Sequence, residues 1–198
     1  METGLFKGGT AILMMRMLNK FDKCNRQFWG FDSFEGLPEP VSEDMVGNLA
    51  KGKRGRFSYG LAGVMQNFEN AGVDPSAPNV HIVKGFFNDT LPTSPVKDIA
   101  FLRLDGDLFV STWDPLENLY EKVVPGGYIY VDDYGSYNGC REAVDLFRSL
   151  HRIEEPMNKI FEDRQGNPFE AVWWQKGHFE QQILNNHMAA HEDSWKNN

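Results

Sequence analysis

Two acidic turns, separated by one predicted helix, constrain the fold of this chain more than any other feature. Asp105-Gly106-Asp107 follows an apolar run at 101–104, and Asp132-Asp133 follows a second run at 128–131. The residues between them combine helical apolar spacing with helix-start signals. The apolar positions are Trp113, Leu116, Leu119, Tyr120 and Val123, and the start signals are Ser111, Thr112 and Asp114. This order predicts a right-handed βαβ unit with parallel strands, so both acidic turns lie at the same sheet edge.

That edge, the carboxyl ends of the strands, is where open α/β sheets bind ligands. Four carboxylates gathered there repel one another unless a positive charge lies among them. Because Mg²⁺ and Ca²⁺ take oxygen ligands, the pattern predicts a site for a hard divalent cation. The alternative is that the acids are helix caps and surface charge.

The composition argues against nucleic acid and membrane partners. The chain has 198 residues, 41% hydrophobic and 24% charged, with a formal net charge of -8. A nucleic-acid or anionic-membrane binder would need a basic surface instead. No apolar run approaches the ~20 residues that span a bilayer. With only Cys24 and Cys140 as thiols, we expect a cytoplasmic protein with reduced cysteines.

The N-terminal residues form a glycine-rich turn, with Gly4, Gly8 and Gly9, before an apolar helix-like run at 11–18. Glycines let a ligand approach the backbone, and the start of a helix offers free N–H groups. The spacing does not match the dinucleotide fingerprint G-x-G-x-x-G. A ligand-binding turn and a plain strand-to-helix turn are both consistent with this pattern.

Asp32 ends the next apolar run, at 27–31. An acid at the end of the second strand of such a fold can bind a ribose hydroxyl pair, although it can also cap the following turn. Residues 38–56 lack periodicity, which predicts a mobile surface loop or a lid over the site. Its basic side chains either meet an acidic substrate or remain solvated; they are Lys51, Lys53, Arg54 and Arg56.

The rest of the chain completes an alternating α/β pattern. The further predicted elements are a helix at 58–71 ended by Gly72, a strand at 80–83, a helix at 139–150 capped by Asn138, antiparallel strands at 157–161 and 169–174, and a polar helical tail at 177–198. Phe86 and Phe87 offer either an aromatic face for a flat ring or core packing. His187 and His191 lie one helical turn apart, but no third ligand is near, so we do not expect a metal there.

Five motifs together resemble the macrocin O-methyltransferase family (TylF/MycF type). They are Glu2-Thr-Gly-Leu-Phe-Lys-Gly-Gly, Gly30-Phe-Asp-Ser-Phe-Glu-Gly-Leu-Pro, Gly85-Phe-Phe-Asn-Asp-Thr-Leu-Pro, Leu104-Asp-Gly-Asp-Leu-Phe-Val-Ser-Thr and Gly126-Gly-Tyr-Ile-Tyr-Val-Asp-Asp-Tyr. The resemblance covers the chain to about Lys176 and implies a single domain at 1–176. It implies a Rossmann-like seven-stranded sheet, mostly parallel, with an antiparallel last strand. It also implies an O-methyltransferase that depends on S-adenosylmethionine and Mg²⁺ and acts on a hydroxyl of a sugar or other small molecule.

The resemblance also assigns residues to the site. For the cofactor they are Glu2 and Gly4 beside the methionine part, Asp32 on the ribose, and Gly85 and Phe86 at the adenine ring. For the metal they are Asp105, Asp132 and Asp133. Catechol-type relatives place a lysine base three residues after the first metal acid, but Leu108 is at that position here. Asp105 or Asp107 is therefore the candidate base.

One expected element of the family is not evident in the sequence. The family's first and most central strand precedes the Glu-x-Gly turn, but only Met1 precedes Glu2 here. The pattern predicts six strands, near positions 28, 80, 101, 128, 158 and 170. We therefore expect the first central strand to be missing, as in an N-terminally truncated chain. We expect the family's N-terminal helices, which help to cover the substrate and form dimers, to be missing too, and a homo-oligomer remains an expectation.

Two other functions remain open. The Leu104-Asp-Gly-Asp and Val131-Asp-Asp segments resemble motifs of haloacid-dehalogenase-type phosphatases. Against that reading, Phe109 replaces the Thr or Val of that family, and the gap between the turns is too short for its intervening motifs. The second alternative is a non-catalytic remnant that kept the methyltransferase motifs.

Overall fold

The computed structural model describes residues 1–161 and 169–177. Within them the helices are α1 Gly9–Phe21, α2 Leu61–Asn70, α3 Phe87–Thr90, α4 Phe109–Leu119 and α5 Asn138–Leu150. The strands are β1 Glu2–Thr3, β2 Phe28–Asp32, β3 Met45–Val46, β4 Leu49–Ala50, β5 Val80–Lys84, β6 Ile99–Leu104, β7 Val123–Val131, β8 Asn158–Ile160 and β9 Ala171–Gln175. The predicted tail beyond Gly177, with its histidines, lies outside the described residues.

Seven strands form one sheet in the order β5-β2-β1-β6-β7-β9-β8. All neighbouring pairs are parallel except those of β9, which runs antiparallel to both β7 and β8. The predicted α/β class, the mostly parallel sheet and the antiparallel last strand are confirmed. The antiparallel pairing of the last two strands follows from their short connection, which leaves no room for a crossover helix.

The prediction of a missing central strand is wrong, because β1 occupies the centre of the sheet with only two residues. Glu2 pairs with Gly30 and Arg103, and Thr3 pairs with Phe31 and Leu104. Both residues of β1 are at most 1% exposed. The neighbouring strands β2 and β6 supply the hydrogen bonds and the packing, so this strand forms although it has no longer apolar segment.

Helices cover the two faces of the sheet and form two cores. On one face, α4 and α5 bury Leu116 and Phe147 against β6, β7 and β9. On the other face, α1 and α2 bury Met15 and Phe68 around Phe28 of β2. No helix among the described residues is long and apolar enough to cross a membrane. The helices thus fix the strand ends that carry the site residues.

Three local predictions differ from the structure. Asn138 does not cap α5 but is its first residue, since Tyr137 is at the N-cap position and makes no side-chain cap hydrogen bond. Helix α4 begins at Phe109, before the predicted start signals, because the carboxylate of Asp44 accepts the Phe109 N–H at 2.8 Å and so satisfies a free donor of the first turn. The 38–56 region was predicted to lack regular structure. It contains a 3₁₀ turn at Ser42–Asp44 and the β3–β4 hairpin.

Candidate functional site

A cavity of about 700 Å³ opens at the carboxyl ends of the central strands. Most of the predicted site residues line it. Those lining it are Gly4, Asp32, Phe86, Asp105, Asp107 and Asp133, whereas Glu2, Gly85 and Asp132 are close in sequence to lining residues but do not line it. Parallel pairing of β5, β2, β1, β6 and β7 brings these residues from five separate segments to one space.

The turn after β1 is hydrogen-bonded to Asp32, which lines the cavity. One oxygen of the Asp32 carboxylate, Oδ2, accepts the N–H groups of Leu5 at 2.7 Å and Phe6 at 3.1 Å. Its Oδ1 accepts the Phe34 N–H at 2.6 Å. A carboxylate has about four acceptor positions, so one position on Oδ1 is left for a ligand hydroxyl. Asp32 therefore caps its turn and also lines the cavity, while ribose binding by this residue stays a prediction.

Glycine is required at the start of this turn. Gly4 has a φ of 90°, and a Cβ built on it would lie 1.7 Å from the carbonyl oxygen of Asp105. The turn after β1 and the first acidic turn are consequently in direct backbone contact. Any side chain at this position would separate them.

Gly85 and Phe86 form the adjacent wall. The N–H of Gly85 donates to the carbonyl oxygen of Asp32 at 3.0 Å, and its φ of 148° favours glycine. Phe86 is half-buried and lines the cavity. Its carbonyl oxygen accepts the Thr90 hydroxyl at 3.0 Å, which fixes the backbone that presents the ring.

The three predicted metal ligands lie together. Asp105, Asp132 and Asp133 each present a carboxylate oxygen within 4.8 Å of the others. The Oδ2 of Asp133 accepts the N–H of Asp107 at 3.1 Å, and the hydroxyl of Tyr130 donates to Oδ1 of Asp132 at 2.9 Å. Asp107 has a φ of 62°, an uncommon conformation for a residue with a side chain. Such strain is often found at functional sites.

The protonation of these acids is shifted by burial. Burial raises the pKa of the Asp105 carboxyl to about 6, although the Arg103 guanidinium opposes the rise. Burial likewise raises the pKa of Asp107 to about 6, opposed by a hydrogen bond from Tyr137. Burial and the charge of Asp107 raise the pKa of Asp133 well above its usual range. A divalent cation would relieve this repulsion, so the oxygen donors present fit Mg²⁺.

Arg103 is the site residue that the sequence reasoning missed. It is 8% exposed and pairs with Glu2 at 2.8 Å, Asp105 at 2.5 Å and Asp132 at 3.0 Å. The positive charge expected among the acids is thus supplied in part by the chain itself. One signal was available, because a single arginine interrupts the otherwise apolar strand before Asp105.

Glu2 belongs to this buried network. Its Oε1 accepts from Arg103, whereas its Oε2 has no hydrogen-bond partner among the described residues. Burial raises the pKa of the Glu2 carboxyl to about 8, against the effect of Arg103. Its contact with Arg103 connects the central strand to the acidic edge.

The loop at 36–57 forms the remaining wall of the cavity. The N–H of Leu37 donates to the carbonyl oxygen of Arg56 at 2.9 Å, and the N–H of Gly55 donates to that of Leu37 at 2.9 Å. Arg54 and Phe57 line the cavity. Of the basic cluster, Arg54 alone among the described residues lines this space, and a role of the loop as a lid stays a prediction.

Asp44 anchors this loop to the acidic edge. It is 2% exposed, and its two carboxylate oxygens accept the N–H groups of Phe109 at 2.8 Å and Val41 at 3.0 Å. A Cβ on Gly139 would lie 1.8 Å from the Oδ1 of Asp44. Through Asp44 the loop is therefore hydrogen-bonded to the start of α4 and packed against the start of α5.

Comparison with known proteins identifies the family. The family model described as Macrocin-O-methyltransferase (TylF) matches residues 1–176. Demethyldecarbamoylnovobiocin O-methyltransferase of Streptomyces niveus is 40% identical over 178 residues, which cover 88% of this chain and 64% of that protein. Mycinamicin III 3''-O-methyltransferase of Micromonospora griseorubida is 35% identical over 183 residues, which cover 89% of this chain and 67% of that protein.

Solved structures agree with the fold. The structure of the O-methyltransferase NovP superposes with a TM-score of 0.76 at 39% identity, over 89% of this chain and 71% of that chain. The calicheamicin methyltransferase CalS11 superposes with a TM-score of 0.68 at 20% identity, over 88% of this chain and 70% of that chain. This chain spans 64% of the length of the Streptomyces niveus relative. With its family-model match and these relatives, the chain belongs to the macrocin O-methyltransferase (TylF) family.

Proposed function

We propose that this protein transfers the methyl group of S-adenosylmethionine to a hydroxyl of a sugar or other small-molecule acceptor. One observation carries the proposal: the candidate cofactor residues Gly4, Asp32 and Phe86 line the same cavity as the acidic turns. The relatives support a small-molecule acceptor, since their names specify O-methylation of demethyldecarbamoylnovobiocin and of mycinamicin III at its 3'' position.

In this proposal the cofactor lies along the turn after β1. The methionine part would lie against the backbone of Gly4, the free acceptor position on Asp32 would take a ribose hydroxyl, and the Phe86 ring would pack on the adenine. Gly85 shapes the wall behind that ring. Glu2 acts indirectly, because its side chain is 1% exposed and bonds to Arg103.

Asp105, Asp132 and Asp133 are the residues that would hold Mg²⁺. Bound there, the ion would orient acceptor hydroxyls and lower their pKa. The geometry that supports this assignment is the clustering of one oxygen from each residue within 4.8 Å. The elevated pKa values of Asp105 and Asp133 also support it, because a cation would lower the cost of ionising them.

Asp107 is our candidate base. Asp105, the other candidate, is a proposed metal ligand and already has one oxygen bound to Arg103, whereas the Asp107 carboxyl faces the cavity with a pKa of about 6. A base with this pKa accepts a proton near neutral pH. As the methyl group passes to the acceptor oxygen, the O–H proton passes to Asp107, and S-adenosylhomocysteine is released. Holding the two reactants in one cavity supplies much of the remaining rate enhancement.

The two alternatives differ in their support. Membership of the macrocin O-methyltransferase family leaves the phosphatase reading without support from the relatives. A non-catalytic member of the family stays open as an outcome of the test. The proposed homo-oligomer and the cytoplasmic location are not needed for the chemistry and remain predictions.

The experiment combines cofactor binding with turnover. Isothermal titration calorimetry with S-adenosylhomocysteine tests the cofactor site. Transfer of radioactive methyl from S-adenosylmethionine to mycinamicin III or a nucleotide-activated rhamnose, with Mg²⁺ and with EDTA, tests the reaction. We expect binding, together with transfer that EDTA abolishes. Binding without transfer to a panel of sugar acceptors would favour a non-catalytic protein, and no binding would refute the proposal.

A further inference from the structure

The arginine in the centre of the sheet reaches three strands at once. Nη1 of Arg103 donates to Oε1 of Glu2 at 2.8 Å and to Oδ2 of Asp105 at 2.5 Å. Nη2 lies 3.0 Å from Oδ2 of Asp132. The guanidinium also lies over the ring of Tyr130, 5.5 Å from its centroid. One planar group therefore connects β1 with the residues that follow β6 and β7.

Stability alone does not account for a charge at this position. Removing a guanidinium from water is unfavourable, and a buried ion pair often stabilises no better than apolar residues of similar volume. The same strand buries Leu102 and Leu104 on its other face. An arginine here is explained by what it contacts rather than by the packing it provides.

Its contacts fix the carboxylates of two proposed metal ligands. Arg103 holds Oδ2 of both Asp105 and Asp132, and the Tyr130 hydroxyl holds Oδ1 of Asp132 at 2.9 Å. Both oxygens of Asp132 are thereby oriented, as is one oxygen of Asp105. A ligand that is already oriented loses less conformational entropy when a cation binds, and residues that orient ligands typically contribute 10–100-fold to metal affinity.

Building on the proposed function, we propose that Arg103 and Tyr130 are positioning residues, which set the carboxylates of Asp105 and Asp132 for a divalent cation. The fork of the guanidinium matters here, because a lysine carries the same charge at a single point and does not span both acids. Charge by itself acts in the opposite direction, since a positive group beside the site repels a cation. A test must therefore change the geometry at constant charge.

The test measures Mn²⁺ affinity by electron paramagnetic resonance, which does not depend on turnover. We expect Arg103→Lys to weaken Mn²⁺ binding at least tenfold, in the range typical of residues that orient metal ligands. We expect Tyr130→Phe to weaken it less, by about threefold, because the Tyr130 hydroxyl contacts one ligand and Arg103 contacts two. The control is Arg148→Lys, a half-buried arginine over the Trp174 ring with no contact to these acids. We expect it to lower the melting temperature without changing Mn²⁺ affinity.

The outcomes separate this proposal from the proposed function. Wild-type Mn²⁺ affinity in Arg103→Lys, or tighter binding, would overturn the positioning role while leaving the methyltransferase proposal intact. If Arg103→Lys does not fold, Tyr130→Phe decides, and unchanged affinity there overturns the proposal. Titration with S-adenosylhomocysteine tests the cofactor site separately. Absence of Mn²⁺ binding by the wild-type protein would overturn the metal site and this inference together.

Discussion

Replacing Gly4 with alanine tests the contact between the cofactor turn and the acidic edge. The new Cβ would lie 1.7 Å from the carbonyl oxygen of Asp105. An ordinary contact needs about 3.5 Å, so the two backbones must separate by nearly 2 Å. The φ of 90° adds roughly 1–2 kcal/mol for a residue with a side chain.

We expect this substitution to affect both stability and cofactor binding. The free energy of unfolding should fall by at least about 2 kcal/mol, because strain and displacement both act on the folded state. A displaced turn no longer meets the ligand in its wild-type position, so S-adenosylhomocysteine should bind at least ~10-fold more weakly by calorimetry, a loss of about 1.4 kcal/mol. The predicted cause is the displacement of the turn that Asp32 holds.

Gly9→Ala is the matched control. It lies five residues further along, at the first position of α1, and a Cβ there would meet no atom within 4 Å. Alanine at such a position is neutral or slightly stabilising. Wild-type cofactor affinity in Gly4→Ala, with the chain folded, would refute the reasoning. Equal losses in both variants would also refute it, since they would point to a general effect of alanine near the N-terminus.

Three further predictions concern the acids. Asp44→Ala should lower the free energy of unfolding in urea by about 1–3 kcal/mol, because it leaves two N–H groups without their acceptor; no change would mean that the loop is not anchored there. Asp107→Asn should lower kcat at least ~100-fold while the affinity for S-adenosylhomocysteine stays unchanged. The control is Asp98→Asn at an exposed position, which should change neither kcat nor that affinity. Wild-type kcat in Asp107→Asn would exclude Asp107 as the base. Because the pKa of Asp105 is raised from 3.8 to about 6, the folded chain binds more protons than the unfolded chain in that window, so metal-free stability should fall as pH rises from 4 to 6. Denaturant titrations across this range, with and without Mg²⁺, check the sign, and rising metal-free stability would contradict it.

The acidic edge could be predicted because its residues directly follow apolar runs. Asp105 directly follows β6 and Asp132 directly follows β7, and the connecting helix is long enough to have a clear period. Parallel pairing then places both turns at one edge without further information. Asp32 was found by the same logic at the end of β2.

Features held by distant contacts could not be predicted in this way. Glu2–Thr3 is too short to have a periodicity, and it is a strand because both neighbouring strands bond to it. The start of α4 depends on Asp44, which is 65 residues away in sequence. Arg103 looked like an interruption of a strand, since its three acidic partners come together only in the folded sheet.

The central claim is that S-adenosylmethionine and a divalent cation occupy one cavity. We propose to measure it by ¹³C NMR of the labelled cofactor methyl group bound to the protein, with Mn²⁺ replacing Mg²⁺. Because Gly4, Asp32 and Phe86 line the same space of about 700 Å³ as Asp133, Mn²⁺ should broaden the methyl signal strongly in the wild-type protein. The broadening should be lost in Asp133→Asn, which retains the cofactor turn. A bound methyl signal that Mn²⁺ leaves sharp would contradict the account.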